Sequence, residues 1–240
     1  MSSSLPLLAG GQSTLGLDAI FFIVMPYAVA LLFLSMTIKR YISEKFTYST
    51  FSSQFLENRA QFKGSVPWHY GILALVAGHL AAFLIPGTLL WWNSVPARLY
   101  VTEFAAFIFA LVTLYGLLTL IMRRFRYSKV RAVTTRMDVL ILALLLFQVC
   151  SGMYIAYYAR WGSNWFAAVL SPYLMSLFTF SPDIGAVQDL PLSIKVHLVS
   201  AWTIFAIFPF TRLVHILVVP NHYLWRRPQR VIWNRHKVQR

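Results

Sequence analysis

Four histidines stand inside apolar stretches of the chain: His69 and His79 in one, His197 and His215 in another. Histidine is costly where a segment faces hydrocarbon, so an intramembrane imidazole usually lines an interior and serves a ligand, a proton path or a metal. Two in each of two segments is what two bis-histidine haems held between a pair of helices require, and the chemistry is then electron transfer. No Cys-x-x-Cys-His occurs, which argues against covalent attachment of the c type. The single cysteine, Cys150, excludes an internal disulfide and reads as a small packing residue in an apolar run.

The segments carrying these residues belong in a bilayer. Of 240 residues, 58% are hydrophobic and 12% charged, against roughly a quarter charged in a soluble domain. Mean hydropathy is +0.63. Five stretches approach or exceed the length that crosses a membrane as helix: Ala19 to Ile38, Trp68 to Trp92, Thr102 to Met122, Val139 to Tyr158 and Leu192 to Val219. The expected fold is therefore all-α, an integral membrane bundle of five transmembrane helices spanning residues 19–220. A short extension (1–18) precedes it and a basic tail (221–240) follows. The first stretch has no basic residue before it and basic residues after it, unlike a cleavable signal peptide.

The net charge of +14 raises the question of nucleic acid, and its distribution answers it. Lys and Arg are absent before the first span and concentrated after it (Lys39, Arg40, Lys45, Arg59, Lys63). They recur between spans three and four, from Arg123 to Arg136, and in the tail from Arg226 to Arg240. The alternate loops carry few, among them Arg98 and Arg160. The positive-inside rule then places the N-terminus outside and the C-terminus in the cytoplasm. Topology accounts for the charge, so no nucleic acid partner is implied. A sixth apolar stretch, Asn164 to Phe180, holds Pro172 in its middle. Crossing there would put the basic tail outside, so it is expected to lie over the outer end of the bundle.

Topology gives the histidines depths. His69 and His215 fall near the cytoplasmic face and His79 and His197 towards the outer face, so the pairs are His69 with His215 and His79 with His197. On one continuous fifth helix, His197 and His215 would share a face about 27 Å apart, whereas His69 and His79 are about 15 Å apart in rise and about 80° apart in direction. The two sites are then offset sideways, or one helix is tilted or kinked. Gly71 and Gly78 beside the second-span histidines offer close approach to a porphyrin or a neighbouring backbone.

Several motifs carry a family resemblance. They are Ser52-Ser53-Gln54, His69-Tyr-Gly-Ile-Leu73, Gly78-His79, Val130-Arg-Ala-Val-Thr-Thr135 with Asp138, and Phe208-Pro-Phe-Thr-Arg-Leu-Val-His215. The chain resembles the gamma subunit of respiratory nitrate reductase, a membrane cytochrome b, over spans two to five. The resemblance implies two haem b groups: an inner one ligated by His69 and His215, and an outer one by His79 and His197. It implies quinol from the quinone pool oxidised beside the outer haem, with electrons passed to an iron–sulfur subunit and a molybdenum catalytic subunit. Related chains carry a lysine in the short loop after span two. Here that loop, Trp92 to Tyr100, has none, and Arg98 stands in its place as the donor to a quinone oxygen, with Glu103 as a proton acceptor. Arg212, one turn from His215, is placed to pair with a propionate of the inner haem.

Two other readings fit the same residues. A related cytochrome b could serve another quinone-linked complex, of the sulfite-reduction or heterodisulfide type. A haem-free membrane anchor or transporter could use the histidines as a proton relay. His222 and His236 lie in the basic tail and read as solvated or as partner contacts. Trp225 and Trp233 in that tail are more than charge retention needs, and suit anchors against a protein partner. Truncation after Leu224 is expected to leave insertion and haem binding intact while the iron–sulfur subunit no longer sediments with membranes. Normal retention of that subunit would reduce the tail to a topology signal.

Overall fold

The structure, a computed structural model, describes residues 16–43 and 56–217. Most of the N-terminal extension, the Ser52-Ser53-Gln54 motif and the tail with its two histidines and two tryptophans lie outside the described residues. Among those described there are helices and turns and no strand.

Five helices are long and apolar enough to cross a membrane: α1 (Gly16–Ser43), α2 (Arg59–Leu84), α4 (Pro96–Arg126), α6 (Arg136–Tyr158) and α10, which continues through a short turn so that the apolar stretch covers Leu192–Phe210. They are the five spans expected, and the protein is a multi-pass membrane protein. Only 11–22% of the residues in each apolar window are buried. The remaining apolar surface is therefore left for lipid or for other protein to cover.

Local chemistry sets the boundaries. Ile85, ahead of Pro86, takes φ −131° and ψ 52° and ends α2. Pro86 then opens a separate short helix, α3 (Pro86–Asn93). The second span therefore runs from Arg59 to Leu84, not from Trp68 to Trp92. Pro96 starts α4, and Arg123, Arg124 and Arg126 occupy its last turn, where cations offset the helix dipole. A one-turn helix, α5 (Ser128–Ala132), leads to α6. Thr135 and Asp138 cap α6 reciprocally: Asp138 N–H donates to Thr135 Oγ1 (3.1 Å) and Thr135 N–H to Asp138 Oδ2 (2.9 Å).

The fifth span departs from expectation. Regular helix α10 (Leu192–Ile207) stops before Pro209, which lacks an N–H, and Thr211 is extended at φ −114° and ψ 175°. Thr211 Oγ1 accepts from Leu213 N–H (3.2 Å) and starts a 3-10 turn, Arg212–Ile216, that carries His215. The freed Pro209 carbonyl accepts from Arg40 of α1, as backbone interrupted within a membrane requires. His197 and His215 are thus not on one continuous helix, and the 27 Å same-face spacing does not apply.

The helices pack in the order α2–α4–α6–α10–α1, with α2 against α4 the most extensive contact. Glycine makes that contact possible. A Cβ on Gly71 would stand 2.8 Å from Thr113 N, and one on Gly116 would stand 2.7 Å from Trp68 Cα. Gly71 therefore serves the approach of a neighbouring backbone, while Gly78 has nothing within 4 Å of a Cβ. Just ahead of α2, Glu57 binds Arg123 Nε at 2.9 Å and accepts from Ala60 N–H at 2.7 Å. Burial raises the Glu57 pKa, but these bonds and that from Gln61 N–H outweigh it and hold the carboxyl below its ordinary range. Cys150 is exposed at the bundle surface, so it is not a packing residue.

Asn164 to Phe180 does not span. It folds as α7 (Gly162–Trp165), a π-helical turn (Phe166–Leu170) and α8 (Ser171–Phe178). Pro172 is accommodated in the first turn of α8. Left-handed residues bound the segment, Arg160 (φ 35°) and Trp161 (φ 57°) before it and Phe180 (φ 55°) after it. Tyr173 OH donates to Phe22 O (2.8 Å), Tyr27 OH to Leu177 O (3.0 Å) and Ser171 Oγ to Ala82 O (2.8 Å). The segment thus caps the end of the bundle away from the basic loops, with a one-turn helix α9 (Gly185–Gln188) leading on to α10. Lys195, on α10, bonds Asp18 of α1 (2.9 Å) at the same end. Gly116→Val is expected to lower stability by about 3 kcal/mol by overpacking backbone against backbone; a lower melting temperature in detergent checks it, and an unchanged one would refute it.

Candidate functional site

His69 and His215 come together at the basic end, with ring centroids 6.1 Å apart and planes at 74°. His69 Nδ1 lies 2.7 Å from Ser65 O and His215 Nδ1 2.7 Å from Arg212 O. A carbonyl only accepts, so each Nδ1 carries a proton and Nε2 is the nitrogen left to ligate. That is the tautomer of a metal-ligating imidazole with its second nitrogen anchored. Imidazole nitrogens about 2 Å from a metal on opposite sides put the two ring centroids about 6 Å apart. The observed spacing therefore fits one axial pair.

A cleft of about 280 Å³ surrounds this pair, between α2, α4, α6 and the 3-10 turn. Its apolar wall includes Trp68, Leu142 and Leu145, and its polar edge holds Arg123, Arg124, Asp138 and Arg212. Asp138 organises that edge. Its Oδ1 accepts from Arg212 Nε at 2.6 Å, and its Oδ2 lies 3.5 Å from Arg124 NH1. Arg212 also donates to Val133 O (3.2 Å). Arg212 is thus close to the histidine pair, as expected, and is held by a carboxylate that sequence spacing did not suggest as its partner. An apolar slot with three guanidiniums at one edge suits a flat apolar macrocycle bearing carboxylates.

His79 and His197, the other two candidate ligands, are each held by their own neighbours. His79 Nδ1 lies 2.8 Å from Leu75 O, and its ring meets Phe166 of the capping segment edge-on at 5.4 Å. His197 is held differently. Its Nδ1 lies 2.8 Å from Ser151 Oγ and its Nε2 3.1 Å from Gln148 Nε2, both on α6. Ser151, Gln148 and Phe166 were not read as site residues. Gln148 and Ser151 left a signal, since polar side chains three apart in an otherwise apolar span demand a partner.

Arg98 and Glu103 make separate contacts of their own. Arg98 lies over the rings of Trp91 (5.4 Å) and Trp92 (5.2 Å), a cation–π arrangement at the start of α4. Glu103 accepts from Ser163 N–H (2.9 Å) and Ser163 Oγ (2.6 Å), tying α4 to the capping segment. It lines an open cavity of about 530 Å³ with Tyr100, Phe107, Tyr157, Tyr158 and Arg160. Neither His79 nor Arg98 lines that cavity. Among the described residues no three His, Cys, Asp or Glu side chains converge as a metal cluster.

Five apolar spans and a close imidazole pair, His69 with His215, at the basic end define a multi-pass membrane protein with a paired-histidine site. The chain belongs to the nitrate reductase gamma subunit family, whose model matches residues 18–234. It is 32% identical to the nitrate reductase gamma chain of Bacillus subtilis (strain 168), over 85% of this chain and 92% of that one. It is 33% identical to the respiratory nitrate reductase 1 gamma chain of Escherichia coli (strain K12), over 90% and 97%. A nitrate reductase-like protein, NarX, of Mycobacterium tuberculosis (strain CDC 1551 / Oshkosh) is 27% identical over 86% of this chain and 32% of its own length. The protein is accordingly a membrane subunit of nitrate reductase, an oxidoreductase complex with further subunits.

Removing the central carboxylate leaves two cations facing each other. Asp138→Ala is expected to destabilise by about 3 kcal/mol, near the lower end for a broken buried ion pair because the Arg212 side chain is 27% exposed. Asp138→Asn keeps the helix cap and is expected to lose less. Equal thermal stability of Asp138→Ala and the native protein would contradict this.

Proposed function

We propose that the chain is a dihaem cytochrome b, oxidising quinol near the outer face and passing electrons inward to an iron–sulfur subunit and on to a molybdenum catalytic subunit. The observation that carries this reading is the pairing of His69 with His215 at 6.1 Å, each with Nδ1 on a carbonyl. His69 and His215 would hold the inner haem b, and Arg212 and Arg124, both ordered by Asp138, would supply cations for its propionates. His79 and His197 hold the outer one. Bound there, the two haems supply one-electron carriers at two depths of the membrane.

The remaining roles fall to the polypeptide. Basic residues on alternate loops orient the bundle with its C-terminus in the cytoplasm. Phe166 of the capping segment packs edge-on against the His79 ring. Arg98, fixed over Trp91 and Trp92, donates to a quinone oxygen beside His79, and Glu103 receives a proton on its way out. Protons then leave on the outer side while electrons move inward, which stores about 2.3 kcal/mol per electron for each 100 mV opposed.

A reduced-minus-oxidised optical spectrum with haem quantitation tests the proposal. Two low-spin haems per chain are expected. His79→Ala or His197→Ala is expected to remove one and abolish quinol oxidation, and His69→Ala or His215→Ala to remove the other. A haem-free purified subunit would overturn the reading in favour of a proton-relay anchor. Loss of the same haem in His79 and His215 variants would overturn the pairing.

A further inference from the structure

Three of the four histidines are oriented by their own chain. His69, His79 and His215 each place Nδ1 against a carbonyl three or four residues earlier, at 2.7, 2.8 and 2.7 Å. His197 alone among the four places Nδ1 against a side chain on another helix, Ser151 Oγ of α6 at 2.8 Å.

The surrounding bonds are compatible with the ligating tautomer. Ser200 of α10 donates to Gln148 Oε1, which turns the amide NH2 of Gln148 towards His197 Nε2 at 3.1 Å. With iron on Nε2, in place of the Gln148 amide, Nδ1 would carry the proton and Ser151 Oγ, 2.8 Å away, would be its acceptor. Ser151 Oγ takes that proton's hydrogen bond and passes its own hydrogen to Gln148 O at 3.1 Å. Gly152 closes the site sterically: a Cβ there would stand 3.1 Å from His197 Cε1, so the ring lies against the α6 backbone. Orientation of this imidazole is thus a property of the α6–α10 contact.

We infer that Ser151 is the positioning residue of the outer haem, holding His197 in its ligating tautomer and setting that haem's reduction potential separately from the inner one's. The inference rests on the dihaem reading above. Donation from Nδ1–H to a partner raises the basicity of the ligating nitrogen, and loss of such a partner typically costs about 10- to 100-fold in metal affinity or activity. A less basic axial imidazole stabilises ferric iron less, so without Ser151 the outer midpoint rises. The inner pair has no such dependence. Ser65 Oγ also lies 3.1 Å from His69 Nδ1, but the Ser65 carbonyl keeps the bond when the hydroxyl is removed.

The test uses the complete membrane complex, with each haem titrated by optical and low-spin EPR signals in native, Ser151→Ala, Ser151→Thr and Ser65→Ala forms. Ser151→Ala is expected to raise the outer midpoint by at least tenfold in the ferrous-to-ferric ratio at fixed potential, about 59 mV, and to shift its EPR signal or lower its occupancy. The inner haem is expected to stay unchanged. Ser151→Thr is expected to restore the native outer values, and Ser65→Ala to leave the inner midpoint where it was. If Ser151→Ala does not accumulate, Ser151→Cys, of similar volume and weaker acceptor strength, carries the same comparison. An outer midpoint and signal identical to native would overturn the inference, as would equal displacement of both haems. Absence of two haems from the native complex would instead overturn the dihaem reading itself.

Discussion

Hydrocarbon offers no hydrogen-bond partner, so every imidazole N–H placed within this bundle has to find its acceptor in the protein. That constraint shapes the rest of the molecule. A carbonyl that already closes a helical bond has a second lone pair, and His69 and His79 use one a turn back on α2. Anchoring one nitrogen in this way fixes the ring and leaves the other nitrogen with its lone pair. Satisfying the backbone's solvent problem and preparing a metal ligand are here the same act.

The helices that carry the pairs are kept in place by contacts that do not involve the histidines. Backbone approach at Gly71 and Gly116 seats α2 on α4, and the bonds from Tyr27, Tyr173 and Ser171 fasten the capping segment. α2 and α10, which bear His79 and His197, are joined through α4 and α6 in the packing order. The separation between the two histidine-bearing helices is therefore set by glycine contacts and by polar pairs at the ends. Asp138 contributes twice, as the cap of α6 and as the carboxylate between Arg124 and Arg212.

Hydropathy made the number and order of spans legible, because apolar length and loop charge are additive along a sequence. It also marked the four histidines, which are polar exceptions to that pattern. The break after Ile207 was not read, although Pro209 stood in view, because hydropathy continues unbroken through Phe208 and Phe210 while the hydrogen-bond ladder does not. The boundary at Ile85 was missed for the same reason. Arg212 was seen as a cation near His215, but its partner Asp138 lies 74 residues away and only folding reveals the pair. Gln148 and Ser151 carried a readable signal as polar side chains within an apolar span. That they serve His197 depends on the rotation of α6 against α10, which sequence spacing does not report.

The extended residue at Thr211 has a consequence for how the two ends of the molecule can vary. Rigid rods transmit rotation, and a continuous α10 would have swung His215 whenever its other end turned to suit His197. The interruption works as a swivel. Regular helix ends ahead of Pro209 and Thr211, Arg40 holds the freed carbonyl, and the 3-10 turn sits on its own contacts. The far-end and basic-end sites can therefore drift independently in sequence, each adjusted by its own neighbours.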